Sequence, residues 1–150
     1  MRKVLIIGIA AAALISYFSV QAKSVAAETV LAKCAMLKFD AEYKNSKAVF
    51  VGKVIAIEKD GDSRIFEFEV QKFWKGIDSK TVKVSVYENM RFQAQFKVDR
   101  EYLVFAKGSD SGILWDGRCS RSRDLAGFGG EVDEDLKSLG DAKKPVNKKG

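Results

Sequence analysis

The sequence predicts a mainly β domain, a small barrel with one or two short flanking helices, over residues 34–140. Stretches that alternate apolar and polar residues recur through the middle of the chain. Their period of two is what a half-buried strand requires. Short turn signals containing glycine and aspartate separate them. The 150 residues leave room for one domain and not two. A composition of 47% hydrophobic and 31% charged residues is that of a globular protein.

The chain opens with a leader. Arg2-Lys3 is a short basic region, residues 4–20 are an apolar run with weak interruptions such as Ser16 and Tyr17, and Val20-Gln21-Ala22 suits a signal peptidase. Val25-Ala26-Ala27 is a second cleavage signal. The competing reading is an uncleaved anchor, although an apolar run of this length is at the lower limit for spanning a bilayer. On either reading residues 1–22 are a targeting segment, 23–33 a lead-in, and the folded part lies outside the cytoplasm; with cleavage it is expected to be secreted or periplasmic. With the signal removed, no stable membrane anchor is expected.

Two cysteines remain, Cys34 and Cys119. In an exported chain a pair of cysteines favours a bridge, and only one pairing exists. The alternative is two buried thiols. A bridge would tie the first folded residues to a point near the end of the domain. It would contribute about 4 kcal/mol in the chain-entropy picture.

The elements follow in order. Residues 39–43 (FDAEY) suit a helical turn. Residues 48–57 (AVFVGKVIAI) form a strand rich in β-branched residues, with Gly52 marking a bulge or bend. Residues 59–62 (KDGD) are a hairpin signal, since Asp-Gly accepts positive φ. Residues 64–73 alternate, with Phe66, Phe68 and Val70 on one face and Glu67, Glu69 and Gln71 on the other. Trp74-Lys75-Gly76 reads as the following turn. Residues 81–87 alternate again, with Val82, Val84 and Val86 inward. Residues 88–97 are irregular, anchored by Phe92 and Phe96. Residues 101–106 (EYLVFA) form a nearly continuous apolar strand, the mark of a central position. Residues 113–115 are a short fifth strand. Gly127, Gly129 and Gly130 connect to a helix over 131–139, with Val132, Leu136 and Leu139 on one side. Residues 141–150 form a lysine-rich tail expected to be disordered. Five strands with short turns indicate a small antiparallel barrel or sandwich. The bend in the first strand fits a partly open Greek-key barrel of the OB type.

Composition also excludes chemistry. With no histidine, the chain lacks the commonest general base and zinc ligand, so no Ser-His-Asp or Cys-His site can be built. No nucleophile or metal motif is present. The reading is a non-enzymatic domain without a cofactor. The net charge of +6 is carried largely by Arg2, Lys3, Lys143, Lys144, Lys148 and Lys149 at the two chain ends. That distribution argues against a nucleic-acid face. Arg121 and Arg123 could receive an anion, or pair with Asp124 or Glu131. Glu67 and Glu69 read as a solvated strand face. Barrels of this type bind through one strand face and adjoining loops. The loop residues Lys59, Asp60 and Asp62 and the loop residues Asn89, Met90 and Arg91 are therefore the candidate binding positions.

The strings VFVGKV (49–54), WKG (74–76), YLVFA (102–106) and CSRSR (119–123) together resemble the netrin-like domain. More closely, they are similar to bacterial proteins related to the tissue inhibitors of metalloproteinases. The resemblance runs from Cys34 to Leu139. It implies a five-stranded OB-type barrel, helices at its ends and a Cys34–Cys119 disulfide. It further implies a protein or polysaccharide partner outside the cytoplasm, with a metalloproteinase as the partner under an inhibitor reading. The animal inhibitors chelate the target's zinc through the amine and carbonyl of a first-residue cysteine. Here Ala32 stands where a second leading cysteine is usual, and Phe92 where a bridging cysteine is. Cleavage after Ala22 or Ala27 leaves residues ahead of Cys34.

Overall fold

In a computed structural model, residues 35–88, 95–108, 113–127 and 130–146 are described. They comprise α1 (Phe39–Asn45), β1 (Ala48–Asp60), β2 (Ser63–Lys75), β3 (Thr81–Tyr87), β4 (Glu101–Gly108), β5 (Leu114–Trp115), β6 (Arg123–Asp124) and α2 (Glu131–Leu139). The protein is mainly β. Five strands form a ring in the order β1-β2-β3-β5-β4, which closes because β1 also pairs with β4, and β6 adds to β4 outside the ring. All pairings are antiparallel except that of β3 with β5, which is parallel.

The ring closes on β1. Residues Ala48 to Lys53 pair with β4 on one edge, while Val49 to Asp60 pair with β2 on the other. The β1–β2 register shifts between Val49 and Phe50, between Val51 and Gly52, and between Val54 and Ala56. These bulges bend the strand, as the glycine suggested. A Cβ on Gly52 would lie 3.0 Å from the Glu69 carbonyl oxygen, so the close approach of the two backbones needs a glycine there.

The first half of β1 and the middle of β4 are buried on both faces, which explains their continuous apolar runs. Ala48, Phe50, Val54, Tyr102, Val104 and Ala106 face the barrel interior with Phe66, Phe68, Val84 and Phe96. Phe96 packs edge-on against Phe66, Phe68 and Tyr102, with ring centroids 4.9–5.2 Å apart. Val49, Val51, Leu103 and Phe105 face outward into a second core. There they meet Phe39 and Tyr43 of α1, Val132, Leu136 and Leu139 of α2, and Trp74. The expected apolar side of α2 is the side that packs.

Both helices are tied at their C-terminal ends. Ser46 donates to the Glu42 carbonyl through its backbone N–H (2.9 Å) and its hydroxyl (2.7 Å), which ends α1. Lys75 Nζ donates to the carbonyls of Tyr43 (2.8 Å) and Lys44 (3.2 Å), a cation placed at the negative end of the helix. α2 ends at Gly140, whose φ of 64° favours glycine.

Several boundaries differ from expectation. Trp74 and Lys75 belong to β2, and the chain turns at Gly76. Asp60 is a paired strand residue opposite Ser63, so Gly61 and Asp62 are the central turn pair. Only Gly61 has positive φ (56°), which is the pattern of a II′ turn and not of an Asp-Gly one. The first strand runs three residues past Ile57, since pairing continues to the turn. β6 was not anticipated. The tail is also more tied down than expected: Lys143 forms a two-bond bridge with Phe73, N–H to carbonyl in both directions at 2.8 Å. Phe92, Gly129 and the leader lie outside the described residues.

Gly76 makes the sharpest test of this backbone. Its φ is 67°, and a Cβ there would sit 2.0 Å from the Lys47 carbonyl oxygen. Gly76→Ala is expected to lose about 3 kcal/mol or more, by combined φ strain and backbone clash. Gly61→Ala, in open space, should lose only about 1–2 kcal/mol. Urea denaturation of both variants checks the order, and equal losses would contradict it.

Candidate functional site

The hairpin tip named from the sequence meets the end of β3 at Glu88. Its backbone N–H donates to the Asp62 carbonyl (2.9 Å), which fastens the end of β3 to the tip of the β1–β2 hairpin. Its carboxylate accepts from Arg64 Nε (2.7 Å) and lies 3.4 Å from Lys59 Nζ. These two cations hold the Glu88 carboxyl below the usual range, Arg64 more strongly. Lys59, Asp60 and Asp62 are exposed at this tip. Asn89, Met90 and Arg91 lie outside the described residues.

Beside this tip stands the outer face of β2, β3 and β5. Strand register places Ile65, Ser85 and Trp115 side by side, with Lys107 of β4 next in the row. Residues directly opposite in register share a face, so this row points away from the barrel core. Tyr87 lies on the same face, two residues along β3, and is 54% exposed; Trp115 is 37% exposed. Lys107 Nζ sits 5.6 Å from the Trp115 ring centroid. Glu67 and Glu69 flank the row, as the alternation of β2 predicts. The sequence marked residues 113–115 as a strand but gave no sign that the tryptophan faces out. That follows from the pairing of Trp115 with the outward Ser85.

A second group of polar residues is buried. Asp116 is 1% exposed and its Oδ1 accepts from Ser122 Oγ (3.0 Å). Ser122 Oγ in turn accepts from the Phe105 N–H (2.9 Å), and the Ser122 N–H donates to Ser120 Oγ (3.2 Å). Glu42 of α1 is equally buried; its Oε1 and Asp116 Oδ2 have no hydrogen-bond partner within the protein. Burial pushes the Asp116 carboxyl up to about 6, and the Glu42 charge adds to the rise. The hydroxyls of Ser120 and Ser122 and the Gly117 N–H oppose it.

Both arginines of the 119–123 segment reach α2. Arg121 donates to Asp135 of α2 through Nε (3.1 Å) and Nη2 (2.5 Å), and through Nη1 to the Leu37 carbonyl (3.1 Å). This bidentate pair is nearly closed off, with side-chain exposure of 15% for Arg121 and 2% for Asp135. Arg123 pairs with Glu131, as its charge suggested. Asp124 instead accepts from Arg100, through Nε (2.9 Å) and Nη2 (2.6 Å). The RSR spacing sets both arginines on one side of an extended segment, which lets them clasp α2. Cys119 adopts a φ of 63°, rare for a residue other than glycine. Cys34 is not among the described residues.

Among the described residues no group of three or more acidic, cysteine or histidine side chains could hold a metal ion. No helix among them is long and apolar enough to cross a membrane. Comparison with known proteins finds no family model and no curated protein that matches this chain.

Two outcomes follow from the buried polar group. Asp116 binds a proton in the folded state over a range, about pH 4 to 6, in which the unfolded chain has lost it. Its contribution therefore makes stability fall as pH rises through that window, by about 3 kcal/mol in all. Asp116→Asn should flatten this slope and raise the melting temperature at pH 7; an unchanged pH profile would refute the assignment. Arg121→Met and Asp135→Ala should each lose about 3–5 kcal/mol by stranding a buried charge. In a double-mutant cycle the combined loss should be well below their sum.

Proposed function

We propose that this chain is an exported, non-enzymatic binding module with an OB-type, netrin-like barrel. Its ligand, a protein or polysaccharide outside the cytoplasm, contacts the outer face of β2, β3 and β5 and the adjoining hairpin tip. The ring order β1-β2-β3-β5-β4, with a parallel β3–β5 contact and closure through β1, supports the OB reading. The exposed Trp115 and Tyr87, in a row with the half-buried Ile65, are the observation that carries the binding reading. Exposed aromatic residues on a rigid sheet supply contact area at low entropic cost. Lys59, Arg64 and Glu88 border it with charge. A Cys34–Cys119 bridge belongs to the same proposal, as do the cleaved leader and an extracytoplasmic location.

The alternative is a metalloproteinase inhibitor of the tissue-inhibitor type, and it is favoured by the resemblance alone. It requires a free amine at Cys34, because an amide nitrogen cannot chelate zinc as an amine does.

The intact mass of the naturally exported chain, before and after reduction, separates these readings. The expected mass begins at Lys23 or Glu28 and gains two hydrogens on reduction. A chain beginning at Cys34 that inhibits a zinc endopeptidase at micromolar concentration would install the inhibitor reading instead. Surface contact is checked by capturing the exported chain's bound proteins and glycans from its own culture fluid. Trp115→Ala and Tyr87→Ala should each abolish recovery of a ligand held by the native chain, with melting temperature unchanged. Undiminished recovery by both variants would move the ligand to another face.

A further inference from the structure

A hollow of about 330 Å³ lies where the start of β4 meets β6. Gln95, Lys97, Arg100, Tyr102, Arg123 and Asp124 line it, with the buried Ser122 beneath. Three of these carry positive charge and one negative, so the lining is cationic by two charges. Its volume is at the low end of small-ligand sites.

One side-chain donor among the lining residues is left without a partner. Arg123 uses Nη1 toward Glu131 and Nη2 toward Met36 Sδ (3.0 Å). Its Nε is buried and has no hydrogen-bond partner. A buried donor left unsatisfied is costly, so an unpaired guanidinium N–H needs an explanation. Arg100 is held by Asp124, whose Oδ2 takes both of its bonds while Oδ1 accepts the Ala126 N–H (2.9 Å). Tyr102 is fixed from both sides: its hydroxyl accepts from the Lys97 N–H (2.9 Å) and donates to the Gln95 carbonyl (3.2 Å). The walls are therefore set before any ligand arrives.

We propose that this hollow is an oxyanion site, which receives a phosphate group between Lys97, Arg100 and Arg123. A tetrahedral oxyanion suits it better than a carboxylate, because three cations, two from the loop ahead of β4 and one from β6, can each meet a different oxygen. Asp124 acts as the resident anion: it holds the Arg100 guanidinium ready, and it competes with the ligand for it. The site is independent of the exposed face of β2, β3 and β5, so either can fail without the other.

The test is an amide NMR titration of the exported chain with inorganic phosphate, and in parallel with glucose 6-phosphate, at constant ionic strength. Saturable shifts are expected at residues 95–102 and 123–124. Arg123→Gln and Lys97→Gln should each weaken binding about 10-fold, the effect of one charge-assisted hydrogen bond. Asp124→Asn keeps the Ala126 contact but removes the competing charge, and should tighten binding several-fold. Binding of the ester as well as the free ion identifies a phosphorylated ligand as the source; binding of the free ion alone identifies the ion. Shifts that do not saturate, or that survive both Arg123→Gln and Lys97→Gln, would overturn the proposal. So would an Asp124→Asn chain that binds no tighter.

Discussion

The pairing of β1 with β4 is the constraint on which the other elements depend. It closes the ring, and it leaves the paired stretches of both strands, residues 48–52 of β1 and 102–106 of β4, with no solvent-facing side. Each must then find apolar partners on both faces. The inner face is met by the aromatic cluster of Phe50, Phe66, Phe68, Phe96 and Tyr102. The outer face, Val49, Val51, Leu103 and Phe105, would lie bare without the helices. The helices are thus part of the barrel's thermodynamics, because α1 and α2 remove from water the surface that closure leaves behind.

Helices this short are not stable alone, so their positions are set by fastening. Arg121 is the central fastener. It reaches Asp135 on α2 and the Leu37 carbonyl ahead of α1, and so joins both to the 119–123 segment. Asp116 and Ser122 attach the same segment to β4 through the Phe105 N–H. A polar network of this kind is unforgiving, since every member that loses its partner is left buried and unsatisfied. Glu42 and Asp116, each with one unpartnered oxygen, show that it is not fully satisfied even in the folded protein.

Where local pattern decides structure, the sequence was a good guide. The alternation at Phe66, Phe68 and Val70 and at Val84 and Val86 is core-facing as expected, and α2 has its expected bounds. It was poor where partners are distant in the chain. Arg123-Asp124 carries no strand propensity, and becomes β6 only because Tyr102 and Leu103 offer a free edge. Trp74 read as a turn residue because of the glycine two places on, but β1 keeps β2 paired through Lys75. The parallel contact of β3 with β5 spans two residues, too few for any periodic signal. The candidate site was half legible. The hairpin tip at residues 59–62 could be located from its turn chemistry, whereas the outward Trp115 and the cationic hollow at Arg123 depend on strand register.

The bridge between Phe73 and Lys143 bears on how the protein stays separate from its own copies. β3 covers β2 as far as Glu69, and the Lys80 carbonyl just ahead of it accepts the Val70 N–H (2.7 Å). Beyond it, the far edge of β2 would present unpaired main-chain groups to any passing strand, the kind of template on which sheets grow from one molecule to the next. The chain's own C-terminal segment occupies that edge. Lysines and Pro145 follow the bridge, and neither charge nor proline helps a further strand to add. The segment around Lys143, which looks like part of an appendage in the sequence, thus covers that edge. Loss of the residues after Gly140 would be felt first as self-association, in a barrel whose interior packing is unchanged.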